Sequence, residues 1–181
     1  MSDLPARFLA SLTSSTSLGL AVSGGGDSVA LLHLAVACGL QPAVVTVNHG
    51  LRAEAASEAA QVAAVAAALG LSHETLLWQG WDHTGNLQDA ARKARRRLIS
   101  AWALQNNIAS VALGHTQNDI AETFLMRLQR GAGVDGLAKM AGHWSEGGIL
   151  WQRPLLGFTR NDLRLWLQAQ GKTWVEDPSN D

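Results

Sequence analysis

The sequence contains a single cysteine, Cys38, among 181 residues. One cysteine cannot form a disulfide within the chain, and the paired or clustered thiols that sulfur transfer commonly needs are missing. Because Cys38 lies in an apolar stretch that is expected to be helical, we interpret it as a buried thiol rather than a reactive one. This cysteine usage favours a cytoplasmic location.

Long apolar runs and an excess of one charge are also missing. No segment approaches the ~18 consecutive apolar residues of a membrane-spanning helix, and residues 1–10 lack the apolar core of a signal peptide. The net charge of −1 gives no general attraction to nucleic acid, so any contact with RNA must come from a local basic patch. With 47% hydrophobic residues, the chain is expected to form one soluble globular domain without a membrane partner.

Short apolar strands alternate with longer helical segments along the chain. The predicted strands are 18–22, 43–47, 72–78, 108–113 and 149–152. The predicted helices are 4–12, 29–38, 54–69, 87–105, 118–129 and 159–170. This order predicts an α/β, Rossmann-like fold with a mostly parallel five-stranded sheet and helices on both faces. Ligands of such sheets bind beyond the carboxyl ends of the strands, where strand order reverses.

A glycine-rich loop follows the first predicted strand. Its residues are Ser23, Gly24, Gly25, Gly26, Asp27 and Ser28. Successive glycines let backbone N–H groups approach an anion, and the next helix adds the positive end of its dipole. The loop lacks the lysine of a Walker A loop and the glycine spacing of a dinucleotide site. Since the Asp27 carboxylate would repel phosphate without a cation between them, the loop suggests Mg²⁺.

Further polar residues follow two other predicted strands, so they are expected near the loop. They are Asn48, His49 and Arg52 after the second strand, and His115, Asp119 and Glu122 after the fourth. Asp119 and Glu122 share a helix face and could hold a cation or an amino group, although acids are also common at helix starts. Taken alone, His49 and His115 are more often structural than functional.

A basic cluster lies in the predicted helix 87–105. Arg92, Arg95 and Arg96 share one helix face, which suits a phosphate contact. Charged runs on helices are more often solvated surface, and on the residues alone the surface interpretation is favoured.

Together these features resemble a known family, the tRNA(Ile)-lysidine synthetases. The loop resembles the PP-loop of N-type ATP pyrophosphatases, which transfer AMP from ATP to a substrate oxygen and release PPi. Six further motifs follow in the order that the family shows. They occupy residues 47–52, 85–95, 114–123, 127–133, 153–156 and 175–180. The resemblance covers residues 18–181.

The resemblance implies that ATP adenylates the C2 oxygen of the wobble cytidine of isoleucine tRNA, and that the amine of free lysine then displaces AMP. It implies ATP and Mg²⁺ as cofactors. The nucleotide would contact Ser23, Gly24, Gly25, Gly26, Asp27, Ser28, Asn48 and His49. Asp27, Asp119 and Glu122 would be catalytic, and Asp27 and Asp119 would hold the metal. The candidates for tRNA or lysine contact are Arg52, Arg92, Arg95, His115, Arg127 and Arg130.

The sequence departs from the family pattern at a few positions. Asn118 and Ile120 stand where the family usually has aspartate and glutamine, and Arg96 stands where tyrosine is common. Family members continue with helical and C-terminal regions that bind tRNA and that this chain lacks, so we expect residues 1–181 to form a single PP-loop ATP-binding catalytic domain. Two alternatives stay open: another AMP-forming tRNA-modifying ligase or thiolase of the PP-loop class, and a nucleotide-binding domain without turnover.

Overall fold

A computed structural model describes residues 3–13, 15–50, 53–79, 85–129 and 140–176. The strands in these residues are β1 Leu18–Ala21, β2 Ala43–Asn48, β3 His73–Leu77, β4 Ser110–Leu113, β5 His143–Glu146 and β6 Ile149–Gln152. The helices are α1 Leu4–Ser11, α2 Gly26–Ala37, α3 Ala55–Ala68, α4 Leu87–Gln105, α5 Gln117–Gln129 and α6 Arg160–Ala169. None of these helices is both long enough and apolar enough to cross a membrane.

The described strands form one sheet in the order β3-β2-β1-β4-β6-β5. β1 pairs in parallel with β2 and β4, β2 pairs in parallel with β3, and β4 pairs in parallel with β6. The chain builds the sheet from β1 to β3 on one side and then adds β4 on the other side of β1. Strand order therefore reverses between β1 and β4, which is where ligands of such sheets bind.

The sheet confirms the predicted α/β, mostly parallel architecture but corrects the number of strands from five to six. The additional strand, β5, pairs antiparallel with β6 at the edge of the sheet. Gly147 and Gly148 connect the two strands with φ of 62° and 79°, as a tight hairpin turn requires. Because β5 is short, polar and mostly exposed, it lacks the apolar pattern from which a strand is predicted.

Helices cover both faces of the sheet. Alternate residues of a strand point to opposite faces, and Val44 and Val45 of β2 accordingly belong to different core clusters. One cluster contains buried side chains of α1, α2, α3 and α6. The other contains buried side chains of α4 with Trp151 of β6.

Helix α2 lies at the centre of the first cluster. All residues from Val29 to Ala35 are buried, as expected for a helix that is apolar on every side. This packing fixes the N-terminal end of α2, and with it the glycine-rich loop. The prediction that Cys38 is a buried thiol within a helix is wrong: Cys38 is the C-cap residue after α2 and is only partly buried. Its Sγ donates to the carbonyl oxygen of Pro5 at 3.2 Å, and burial raises the pKa of the thiol.

Candidate active site

The glycine-rich loop runs directly into α2. The helix begins at Gly26, three residues before the predicted start at Val29, so that Gly26, Asp27 and Ser28 form its first turn. The low helix propensity of glycine conceals this start in the sequence. As a result, the backbone N–H groups of Gly26, Asp27 and Ser28 in the glycine-rich loop are themselves the N-terminal N–H groups of a helix.

The N-terminus of α2 is not capped by a side chain. Gly25 occupies the N-cap position and has no side chain to cap the helix, whereas Asn86 and Thr159 cap α4 and α6 with their side chains. Gly24 has φ of 97°, a left-handed conformation that favours glycine. An uncapped helix start with orphan N–H donors is suited to bind phosphate.

The hydroxyl of Ser28 stabilises the loop. It accepts hydrogen bonds from the backbone N–H groups of Ser23 and Gly24, each at 3.2 Å, and donates to the carbonyl oxygen of Gly25 at 2.9 Å. The Ser23 and Ser28 hydroxyl oxygens lie 3.2 Å apart. Ser28 therefore shapes the loop, and its direct contact with a nucleotide stays a prediction.

The end of β4 approaches the loop at Gly114. A Cβ atom at this position would lie 3.1 Å from both the backbone N and the Cα of Ser28. Only glycine therefore allows β4 and the first turn of α2 to lie this close together. The contact holds the loop against the end of β4, which is followed by His115 and Asp119.

Replacing Gly114 by alanine is expected to displace the first turn of α2. Overpacking of this kind costs about 1–3 kcal/mol, and we expect ATP affinity to fall about tenfold, which corresponds to roughly 1.4 kcal/mol. Calorimetric titration with ATP measures the affinity. Gly142→Ala is the control, because nothing lies within 4 Å of a Cβ placed there. Equal ATP affinities in the two variants would contradict the prediction.

Three carboxylates converge on one guanidinium at this edge of the sheet. Arg160 Nε donates to Asp27 Oδ2 at 3.2 Å, and Arg160 Nη2 donates to Asp119 Oδ1 at 3.0 Å. Arg160 Nη1 donates to Glu122 Oε1. The structure thus brings together the three residues that the resemblance marks as catalytic. Burial raises the pKa of Asp27, and the hydrogen bond and charge of Arg160 partly offset this effect.

Arg160 was missed in the sequence. It is the first residue of α6, where the helix dipole favours an acidic rather than a basic side chain. An arginine in this position is a signal that an acidic partner lies nearby. The sequence does not show which acids these are, because Asp119 and Arg160 are 41 residues apart.

The first turn of α5 is also tied to the start of α6. The second carboxylate oxygen of Asp119 accepts from the backbone N–H and the hydroxyl of Thr116, both at 2.7 Å. Asn118 Oδ1 accepts from the backbone N–H of Arg160 at 3.0 Å. The asparagine that departs from the family pattern thus has a positioning contact in this chain.

His49, after β2, pairs with an arginine of α4. Arg95 donates from Nε and Nη2 to His49 Nε2 at 3.3 and 3.0 Å. Burial and the charge of Arg95 lower the pKa of His49 to about 4. His49 is therefore uncharged at neutral pH. Asn48 lies beside it, and its Oδ1 accepts from the backbone N–H of Gly50 at 2.8 Å.

His115, after β4, pairs with a different arginine. Arg153 Nε donates to His115 Nδ1 at 3.1 Å, and Arg153 lies over the ring of Trp144 at 4.1 Å. Burial and the charge of Arg153 lower the pKa of His115 to about 4. Because Nδ1 accepts a hydrogen bond, the proton of the neutral ring resides on Nε2.

The two histidines give the protein a pH-dependent stability. Their pKa in an unfolded chain is about 6.5, so between pH 6.5 and 4 the unfolded chain binds more protons than the folded chain. The free energy of unfolding therefore falls as the pH falls through this window. Each histidine contributes up to about 2 kcal/mol, so we expect a total loss of about 2–4 kcal/mol between pH 7 and pH 5, measured by urea unfolding.

His115→Gln is expected to reduce this loss. His143→Gln, an exposed position on β5, is expected to keep it in full. The same pH dependence in wild type and His115→Gln would contradict the assignment of the loss to His115.

The arginines of α4 do not act as one patch. Arg95 binds His49, whereas Arg96 lies over Trp144 and pairs with Glu146 of β5 at 3.0 Å. Arg92 is exposed on the same helix.

Arg127 lies in the last turn of α5. Arg52 and Arg130 lie outside the described residues, and their predicted contacts stay predictions.

Residues 4–181 match the sequence model of the PP-loop domain. The chain belongs to the PP-loop domain family. The match covers the uncapped start of α2, His49 and His115. It also covers the acidic cluster, which consists of Asp27, Asp119 and Glu122. The whole site described above therefore lies within the PP-loop domain.

Curated relatives of this PP-loop domain carry the name tRNA(Ile)-lysidine synthase, which confirms the resemblance predicted from the motifs. The protein of Ruegeria pomeroyi is 59% identical over 168 residues, which are 91% of this chain and 40% of that protein. The protein of Bradyrhizobium diazoefficiens is 44% identical over 180 residues, which are 96% of this chain and 50% of that protein. The chain thus spans half or less of the length of these two relatives.

Two solved structures share the fold of this PP-loop domain. A U34-tRNA thiolase of Methanococcus maripaludis, solved with its [4Fe-4S] cluster, superposes with a TM-score of 0.81 at 15% identity, covering 96% of this chain and 65% of that one. A phosphoadenylyl-sulfate reductase of Candida auris superposes with a TM-score of 0.60 at 10% identity, covering 94% and 81% of the two chains. Both similarities show the fold alone.

The PP-loop domain offers carboxylates for a metal that binds together with phosphate. Among the described residues, no three His, Cys, Asp or Glu side chains are placed to hold a metal by themselves. Mg²⁺ typically takes one or two carboxylates and completes its shell with phosphate oxygens and water. Asp27 and Asp119, which share Arg160, fit this pattern next to the uncapped start of α2.

Proposed function

We propose that this PP-loop domain adenylates the C2 oxygen of the wobble cytidine of isoleucine tRNA and that the amine of free lysine then displaces AMP at C2. In the first step an O–P bond forms to the α-phosphate and PPi leaves. In the second step a C–N bond forms and the C–O bond to AMP breaks. One observation supports the proposal most directly: Asp27 of the loop shares a guanidinium with Asp119 and Glu122 of α5. The proposed phosphate site and the proposed site for the amine would therefore be adjacent.

The loop would hold the pyrophosphate half of ATP. The start of α2 has no side-chain cap, so its backbone N–H groups are available to an anion, and the helix dipole adds to their attraction for it. Asp27 and Asp119 would hold Mg²⁺, which neutralises charge on phosphate oxygens when it is bound. Positioned donors of this type stabilise the negative charge that develops on the leaving group.

The carboxylates of α5 would receive the lysine. Glu122 is the more exposed of the two, with 54% of its side chain accessible, while the side chain of Asp119 is 23% accessible. An exposed carboxylate next to a partly buried one can attract an ammonium group from solvent and orient it. His115 also follows β4, just before α5. Its Nδ1 atom already accepts a hydrogen bond from Arg153, so Nδ1 is not available to the lysine.

The RNA contacts would come from basic side chains around this edge of the sheet. Arg92 and Arg95 of α4 are the described candidates, and Arg127 lies at the end of the helix that carries Glu122. Isoleucine tRNA, free lysine and a cytoplasmic location belong to the proposal as a whole. The arginines proposed to contact RNA and the carboxylates proposed to bind lysine are different side chains, so each proposed role can be tested by its own substitution.

The thiolase alternative fits the chain less well. Cys38 is the only cysteine, and it follows the C-terminal end of α2, whereas the loop leads into the N-terminal end. A helix of 12 residues is about 18 Å long. The Cys38 thiol therefore lies far from the phosphate site, and the raised pKa of the thiol makes it a poor nucleophile.

The proposal is tested by incubating the protein with ATP, radiolabelled lysine and an isoleucine tRNA transcript. The expected result is release of PPi and AMP with incorporation of lysine into the tRNA. A transcript with uridine at the wobble position is the matched control and should accept no lysine. ATP binding without PPi release would instead favour a nucleotide-binding domain without turnover.

A further inference from the structure

Arg160 occupies the centre of the acidic cluster. Its guanidinium uses three different nitrogens to contact three carboxylates, which come from the start of α2 and from the first two turns of α5. The side chain of Arg160 is only 20% accessible. A partly buried guanidinium with this many charged partners is held in one place, because leaving any partner unpaired would be unfavourable.

The position of Arg160 is opposed by its own helix. As the first residue of α6 it lies at the positive end of the helix dipole. The attraction of the three carboxylates therefore outweighs the repulsion from the helix. It also follows that these carboxylates, which would otherwise repel one another, are kept together by a cation that belongs to the chain.

The charges of the cluster do not cancel. Three ionised carboxylates and one guanidinium leave a net charge of −2, which is the charge that one divalent cation neutralises. A second cation could join only if it took a carboxylate oxygen from Arg160 or used the remaining oxygens beside it. Arg160 therefore competes with any metal at Asp27.

We propose that Arg160 is a positioning residue that holds Asp27, Asp119 and Glu122 in place before substrates bind, and that it yields Asp27 to the divalent cation that arrives with ATP. The inference rests on the proposed function for the identity of the nucleotide. The competition weakens binding of the free metal, and phosphate oxygens supply the additional ligands that overcome it. The metal then enters as a complex with ATP.

The test uses Mn²⁺ alone, and free Mn²⁺ is counted by electron paramagnetic resonance. Arg160→Met removes the charge and keeps an unbranched side chain, and it is expected to bind Mn²⁺ about tenfold more tightly than wild type. Arg160→Lys restores the charge and is expected to stay within about threefold of wild type. Arg97→Met, an exposed position on α4, is the control for the change in net charge and should match wild type. Unchanged or weaker Mn²⁺ binding in a folded Arg160→Met protein would overturn the inference.

A second measurement needs no loss of the arginine. The Nε–H resonance of Arg160 in the wild-type NMR spectrum, assigned by its absence in Arg160→Lys, reports the hydrogen bond to Asp27. Mg²⁺ together with α,β-methylene ATP is expected to shift this resonance, and an unchanged resonance at saturating ligand would overturn the inference even if Arg160→Met failed to fold. Neither readout requires tRNA or lysine, so a failure here is separate from a failure of lysine transfer.

Discussion

Asp27→Ala is expected to lower the rate of PPi release from ATP by about a thousandfold or more, with the fold retained. The substitution removes the carboxylate nearest to the uncapped start of α2, and loss of a single group that stabilises developing charge commonly costs a factor of this size. The fold should persist, because the hydrogen bond that Asp27 makes within the described residues goes to the Arg160 side chain rather than to the loop backbone, and burial already disfavours the charged form of Asp27. The rate is measured by PPi release or by ATP–PPi exchange.

The control for Asp27→Ala is Asp89→Ala. Asp89 also lies in the first turn of a helix, but in α4, where it pairs with Lys93 on an exposed surface. It should release PPi at the wild-type rate. An unaltered rate in Asp27→Ala would remove Asp27 from the mechanism, and a lost near-ultraviolet circular dichroism signal would show that the loop residue is needed for folding.

Glu122→Gln is expected to reduce kcat/KM for lysine about a hundredfold and to leave the KM for ATP unchanged. The neutral amide keeps the shape of the side chain but loses the charge that would attract an ammonium group. Glu122 is the cleaner position for this test, because Asp119 also accepts two hydrogen bonds from Thr116. Steady-state kinetics with lysine and ATP varied separately give both constants.

Glu74→Gln on β3 removes the same charge from an exposed strand and serves as the matched control. A rise in the KM for ATP in Glu122→Gln, with lysine kinetics unchanged, would assign the carboxylate to the nucleotide instead. Equal kinetics in both variants would place Glu122 outside the reaction.

The loop and its strand could be predicted because their signals are local. Successive glycines after an apolar strand require a tight turn, and the following apolar helix must be buried, whatever the rest of the chain does. The predicted start of α2 at Val29 is three residues too late, because glycine disfavours helices. In the structure the helix begins at Gly26, since tertiary packing prevails over that preference.

Contacts between distant elements could be predicted only as a convergence at one edge of the sheet. The parallel strands bring Asp27 and Asp119 to the same edge, as expected. The pairing of Arg95 with His49, of Arg153 with His115 and of Arg160 with the acids depends on helix orientations that residue spacing does not reveal. Strand β5 was missed for a related reason, since only the edge of the sheet gives its polar residues a partner.

Helix α5 differs from the other helices in how it is held. None of its residues is buried, and Phe124, Leu125, Met126 and Leu128 are each about half accessible. Its first turn is attached through Asp119, Asn118 and Gln117, which are polar contacts. Local opening of α5 therefore exposes little new apolar surface, and its free energy should be far below that of global unfolding. Amide hydrogen exchange should accordingly be faster in α5 than in α2, and a ligand that bridges α5 and the loop should slow it.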